Sequence, residues 1–328
     1  MCRRLLTPLA FVAVLGLATA ITGCLKGPAE DSWASARGRP KVLVSFGPLY
    51  SFAASVAGPD ADVKCLLTTT GPHNEGDATP RQIDLARGCD VFVVNGLGLE
   101  DESDGIATKL EKVAANPHWN VLNLGTKIDV AWLHEGGAEE QDGHHREHAH
   151  DPHVWLSVRC AKRMVEAIRD ELKRLDPAHA DGYDRRAAAY LTKLDRLEAD
   201  GKALLAKKTE RSILSFHESL TYFAETYGLR VVGHIEVYPG QEPSDKKLDE
   251  IIRKCSSQNP PVRVIAVEPQ YPTRSSAAKI RDALLGRGID AEFAEVNPLE
   301  TCNDIELSPD LYEKVMADNV RELARVLK

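Results

Sequence analysis

No Cys-x-x-Cys pair and no His-Glu-x-x-His stretch occur in this chain, and its basic residues do not outnumber its acidic ones. The first absence argues against a cysteine-built zinc site or a thioredoxin-type redox centre. The second argues against the helix-borne histidine pair of many metallopeptidases. With 41 Lys and Arg against 49 Asp and Glu, a net charge of -8, the chain lacks the positive excess that neutralises a phosphate backbone. Nucleic acid is therefore excluded as a partner. Cysteine is sparse as well. Setting aside Cys2 and Cys24 near the start leaves Cys65, Cys89, Cys160, Cys255 and Cys302. That odd number leaves at least one thiol without an internal partner even where oxidation is possible, and spacing alone does not decide connectivity.

What is present begins with an export signal. Arg3 and Arg4 precede an apolar run from Leu5 to Ile21 that is too short for a confident membrane span and has no charged far flank. It ends in Ile21-Thr22-Gly23-Cys24, which resembles a bacterial lipobox, and no Ala-x-Ala cleavage site lies nearby. Residues 1–23 are expected as a lipoprotein signal peptide and Cys24 as the lipidated first residue of the mature chain. Residues 24–40 lack apolar periodicity and carry Gly27, Pro28, Gly38 and Pro40, so they are expected as a tether. The protein is expected outside the cytoplasm, in the periplasm or on the cell surface, held to a bacterial membrane through its lipid.

The remainder, with 43% hydrophobic residues, is long enough for two lobes. Short apolar strands alternate with helices, first in Lys41–Ser45, Val63–Leu67, Asp90–Val94 and Asn120–Leu124. The same grammar returns in Ser212–Phe216, Arg230–Val237, Val262–Val267 and Ala291–Val296. Continuous apolar strands separated by helices predict buried parallel sheets. Between the two stretches, Ser157–Leu175 and Ala178–Lys207 read as helices divided by Asp176-Pro177. The second, about 45 Å long at 1.5 Å per residue, suits a strut between lobes. The expected fold is α/β, with two parallel-sheet lobes joined by one long helix and a site in the cleft between them. The expected boundaries are 41–176 for the N-terminal lobe, 177–208 for the connecting helix and 209–328 for the C-terminal lobe.

Histidine carries the chemistry. Of 11 histidines, His134, His144, His145, His148, His150 and His153 crowd one window, with Glu135, Glu139, Glu140, Asp142, Glu147 and Asp151 among them. Glycines 136, 137 and 143 interrupt it. Residues 134–150 therefore read as a polar loop that gathers metal loosely rather than as a fixed cage. His73, His153 and His217 instead stand near the ends of predicted elements, where open α/β sheets hold their ligands. Taken singly, each is more often a surface residue than a ligand. Three together, drawn from both halves, point to a metal in the cleft.

Gly71-Pro72-His73, Asp151-Pro152-His153-Val154-Trp155-Leu156-Ser157 and Phe216-His217-Glu218-Ser219-Leu220-Thr221-Tyr222-Phe223 carry a resemblance. Val267-Glu268-Pro269-Gln270-Tyr271 and Asn297-Pro298-Leu299 extend it. Over 41–328 the chain resembles the metal-binding, solute-binding proteins of zinc and manganese ABC importers, zinc type. The resemblance implies His73, His153 and His217 as ligands, Zn(2+) as cargo with Mn(2+) second, and no enzymatic activity. It also implies a monomer whose partners are an ABC permease and its ATPase. The family's usual fourth ligand, an Asp before Pro-Leu, falls here on Asn297, a weaker donor. Water, Asn297, Glu75, Glu268 and Glu295 remain open for that position. The family further implies a disulfide between Cys255 and Cys302. Two other classes compete: a zinc hydrolase, for which Glu218 is the best candidate base, and a metal-binding surface adhesin.

Overall fold

The computed structural model describes residues 32–68, 71, 76–134, 150–236, 243–270 and 275–328. The expected signal peptide and Cys24 lie outside the described residues, as do His73, Glu75 and most of the His-rich loop.

The first sheet consists of β1 (Lys41–Val44), β2 (Asp62–Cys65), β3 (Val91–Val94) and β4 (Val121–Asn123). All pair in parallel in the order β2-β1-β3-β4. The second sheet repeats that order with β5 (Ser212–His217), β6 (Arg230–Glu236), β7 (Val264–Val267) and β8 (Glu292–Glu295), as β6-β5-β7-β8. The apolar runs Val91–Val94 and Val264–Val267 are buried along their whole length, as central parallel strands covered on both faces must be. The α/β reading with two parallel sheets is thus observed.

Helices α1 (Gly47–Ala57), α2 (Pro80–Gly88) and α3 (Ile106–Val113) connect the first sheet. A Thr79–Gln82 capping box starts α2. Helices α4 (Val158–Leu175) and α5 (Ala180–Leu205) follow, and α5 has 26 residues, about 39 Å at the helical rise. In the second half come α6 (Thr221–Tyr227), α7 (Asp245–Ser256), α8 (Ser275–Leu285) and α9 (Leu311–Val326). Gly228, at φ 67, ends α6 in the left-handed conformation that glycine adopts at little cost. Among the described residues, no helix is long and apolar enough to cross a membrane.

The chain does not bury one core per lobe. One continuous cluster runs from β1 and β3 through α1, α4, α5 and α9 to Ile213, Val264, Ala266 and Ala294 on one face of the second sheet. A separate, smaller cluster fills the other face, beneath α7 and α8. Helix α9 packs against α1 and α5 as well as β8, so the C-terminus returns to the middle of the molecule.

Two expectations are corrected. The end of the expected tether belongs to the first lobe, because Trp33 and Ala36 are buried and the Trp33 indole donates to Leu85 O at 3.0 Å. An indole of that area gains more from burial than from water. Cys255 and Cys302 are both free thiols. Cys255 lies in the smaller core and Cys302 in the larger, against α1 at Gly47. The separation of the two cores keeps them from bridging.

Candidate metal centre

In each sheet, the strand order turns back between the two central strands, and the carboxyl ends there frame a crevice. In the first sheet that crevice holds one of the chain's own carboxylates. Glu100 is completely buried and accepts from Ser45 Oγ, beyond β1, and from Asn95 N and Gly96 N, beyond β3. Burial pushes its pKa up to about 7 against the pull of these donors. Asn95 also donates through Nδ2 to Pro152 O at 2.9 Å, which fastens the residue before His153 to the first lobe.

In the second sheet the crevice holds an imidazole. His217 is the last residue of β5, and Glu268 follows the last residue of β7. His217 Nδ1 lies 2.5 Å from Glu268 Oε1, and Gln270 Nε2 donates to the other oxygen of Glu268 at 2.6 Å. His153 opposes it from the segment between the His-rich insertion and α4. Its Nδ1 lies 2.7 Å from Asp151 Oδ1, which also accepts from His153 N.

The third member of the cluster is Glu300. The chain leaves β8 through Asn297-Pro298-Leu299, and Leu299 takes φ 64, a left-handed conformation uncommon for a branched residue. Asn297 holds that turn. Its Oδ1 accepts from Leu299 N, while its main-chain N–H and C=O pair with the Asn319 carboxamide on α9. The reversal turns Glu300 inward, so that Oε1 lies 3.1 Å from His153 Nε2 and 3.0 Å from His217 Nε2. The two Nε2 atoms are 3.4 Å apart. All three residues are almost wholly buried, at 4, 2 and 3% exposure for His153, His217 and Glu300.

These spacings fit a small cation. Zinc bonds of about 2.0–2.1 Å at tetrahedral angles put neighbouring donor atoms roughly 3.3 Å apart. Among the described residues, His153, His217 and Glu300 form the only group of three or more His, Cys, Asp or Glu whose donor atoms converge in this way. Two imidazoles with one carboxylate are also a donor set that zinc and its neighbours favour over calcium or magnesium.

The charges within the cluster support one another. Burial lowers the pKa of His153, but Asp151 and Glu300 outweigh it and raise the group to about 9. Burial likewise opposes charge on His217, while Glu268 and Glu300 raise it to about 10. Burial favours the protonated acid of Glu300, yet the two histidines hold it well below the usual carboxylate range.

The residues expected from the sequence divide as follows. His153 and His217 are brought together, with their Nε2 atoms 3.4 Å apart. His73 lies outside the described residues, but Gly71, two positions earlier, packs on the Glu300 backbone, where an added Cβ would stand 3.6 Å from Glu300 O. Asn297, expected as a ligand, is corrected to a turn clamp, because its side-chain oxygen is committed to Leu299 N. Glu268 is committed to His217 Nδ1, and Glu295 is exposed at the end of β8. The sequence reading missed Glu300. Its only signal was a lone acid directly after the Asn297-Pro298-Leu299 motif. The described ends of the His-rich loop are fastened nearby: Asp151 N donates to His134 O, and His134 N to Tyr222 Oη on α6.

A family model, ZnuA, described as zinc-uptake complex component A, periplasmic, matches residues 42–326. The chain is 28% identical over 299 residues to the zinc-binding protein AdcA of Streptococcus pyogenes serotype M6, covering 88% of this chain and 56% of that protein. It thus spans about half the length of the first curated relatives it matches. It is also 28% identical over 309 residues to the high-affinity zinc uptake system protein ZnuA of Bacillus subtilis, covering 92% of each. Among solved structures, the SBP FpvC from Pseudomonas aeruginosa in complex with Mn2+ is similar at a TM-score of 0.72 and 26% identity, covering 88% of this chain and 98% of that one.

Proposed function

We propose, from the premise that the chain belongs to the ZnuA family of periplasmic zinc-uptake components, that it captures Zn(2+) outside the cytoplasm and hands it to an ABC permease. The observation that carries this reading is the convergence of His153 Nε2, His217 Nε2 and Glu300 Oε1 on one buried point. His73 is the fourth ligand in this reading, which completes a set of three imidazoles and one carboxylate. A single anionic ligand with neutral imidazoles holds a divalent ion firmly without trapping it as a thiolate cage would.

Capture and release follow from where the ligands come from. His217 and Glu300 belong to the ends of β5 and β8, whereas His153 stands on the segment leading into α4. An ion bound to all of them ties the second sheet to the first lobe and α4. A permease that shifts either side would loosen the set, which gives transport its exit step. The His-rich stretch between His134 and His150 serves as a loose collector of metal, and lipidation at Cys24 keeps the protein at the membrane.

Metal analysis with native mass spectrometry on the exported, metal-reloaded protein tests the reading. One tightly held zinc per chain is expected, lost on His153→Ala or His217→Ala. Deleting residues 135–149 is expected to remove only weakly held ions. Zinc retained at parental affinity in both histidine variants would place the site elsewhere.

A further inference from the structure

We infer that Asp151 and Glu268 are positioning residues, which hold the two imidazoles so that both present Nε2 to the ion. The inference rests on the zinc-capture reading above and deepens it. A carboxylate can only accept, so the ring nitrogen 2.7 Å from Asp151 Oδ1 and the one 2.5 Å from Glu268 Oε1 are N–H donors. With Nδ1 protonated on both rings, coordination falls to Nε2 on both. Those are the atoms that lie 3.4 Å apart beside Glu300.

Each of the two carboxylates is itself held, Asp151 through Oδ1, while its Oδ2 is buried without a hydrogen-bond partner among the described residues. Asp151 Oδ1 takes the His153 main-chain N–H as well as the ring, and Tyr222 Oη on α6 donates to Asp151 O. Glu268 receives Gln270 through its second oxygen, and Ser219 Oγ lies 3.5 Å from the first. Both acids are nearly inaccessible, at 4 and 1% exposure. Burying a carboxylate is costly unless it accepts enough hydrogen bonds. One aimed at a ligand ring fixes that ring's tautomer and orientation and makes it a better donor to metal. Neither acid presents an oxygen to the converging group of donor atoms, so their role is exerted through the rings.

The test uses the full chain with Asp151→Asn, Glu268→Gln and Glu268→Leu, titrated with zinc against a competing chelator. Nitrogen-15 NMR of the zinc-bound imidazoles is recorded alongside. A loss of about ten- to a hundredfold in zinc affinity is expected for the amides, the range usual for such partners. The Leu change should lose more, because Gln keeps an accepting oxygen and rescues part of the effect. Zinc-bound parent should show Nδ1–H on both rings, and the Glu268 variants a mixture of tautomers at His217 alone. Should the Leu variant fail to fold, the Gln variant carries the comparison. Parental affinity in the variants overturns the inference, and so does a loss of affinity with both tautomers unchanged. A parent that binds no zinc overturns the functional reading itself. A parent that binds zinc, with variants that match it, overturns only the positioning role.

Discussion

Trp155 donates its indole N–H to Pro298 O at 2.8 Å, so one buried hydrogen bond ties the segment bearing His153 to the turn bearing Glu300. The same indole meets Phe46 of the first lobe edge to face at 4.9 Å, and Tyr312 on α9 donates to Trp155 O. Trp155 therefore stands where the first lobe, the site and the C-terminal helix meet.

Replacing that indole tests the tie. Trp155→Phe removes the donor, leaves Pro298 O without it, and opens space in a closely packed region. A loss of about 2–4 kcal/mol is expected from the unmet carbonyl and the cavity together. Urea unfolding of metal-free protein measures it. Zinc affinity should fall as well, since the tie sets the distance between His153 and Glu300.

Glu300 and Asn297 should behave oppositely. Glu300→Gln removes the one anionic donor that both rings face, and zinc affinity is expected to fall at least ~100-fold, or about 2.7 kcal/mol. Asn297→Asp keeps an oxygen to accept from Leu299 N and should change zinc affinity by less than about threefold. Calorimetric titration separates them. A large gain in Asn297→Asp would return that position to the ligand set.

The raised histidines give pH dependences of definite sign. A ligating imidazole nitrogen must have lost its proton, so protons compete with zinc until the metal-free pKa values are passed. With His153 at about 9 and His217 at about 10, affinity should keep rising from pH 7 to about 10. Unperturbed histidines would level off above about 6.5. For the metal-free fold, groups raised above their unfolded value stabilise fully below about pH 6.5 and lose that contribution as pH climbs through 9 to 10. Glu300, held low, contributes above its unfolded value and loses this as pH falls towards its folded pKa. Thermal melts of metal-stripped protein should therefore decline on the alkaline side, and zinc should abolish that decline.

Thiol chemistry gives a further check. Cys255 and Cys302 are buried, and burial raises both to about 11. Neither thiol should react with a maleimide in the native state, and both should react after unfolding in denaturant without reductant. A Cys255–Cys302 peptide recovered under non-reducing conditions would contradict the structure.

Much of the fold was legible because its signals are local. Runs such as Val91-Phe92-Val93-Val94 and Val264-Ile265-Ala266-Val267 are apolar throughout, and only strands covered on both faces use such runs in water. The long helix showed itself by its periodicity, and His153 and His217 by their place in a dense motif. Trp33 was misread because its neighbours Gly27, Pro28, Gly38 and Pro40 suggest a tether, and only Leu85, distant in sequence, supplies its partner.

The sequence by itself determined two parallel α/β halves, the helix between them, and two histidines that stand in dense motifs, one in each half. Tertiary structure decided the rest of the described site. Whether Asn297 or Glu300 faces the rings depends on one left-handed residue, Leu299, and on a clamp from Asn319 on α9, 22 positions away. Whether Cys255 meets Cys302 depends on which core each enters, and whether Glu268 is a ligand or a brace depends on its lying beyond β7, next to β5. Residue type and local periodicity report what a segment gains from burial. The direction in which a carboxylate points is set by hydrogen bonds closed across long stretches of chain, and these form only once the sheets and helices have packed.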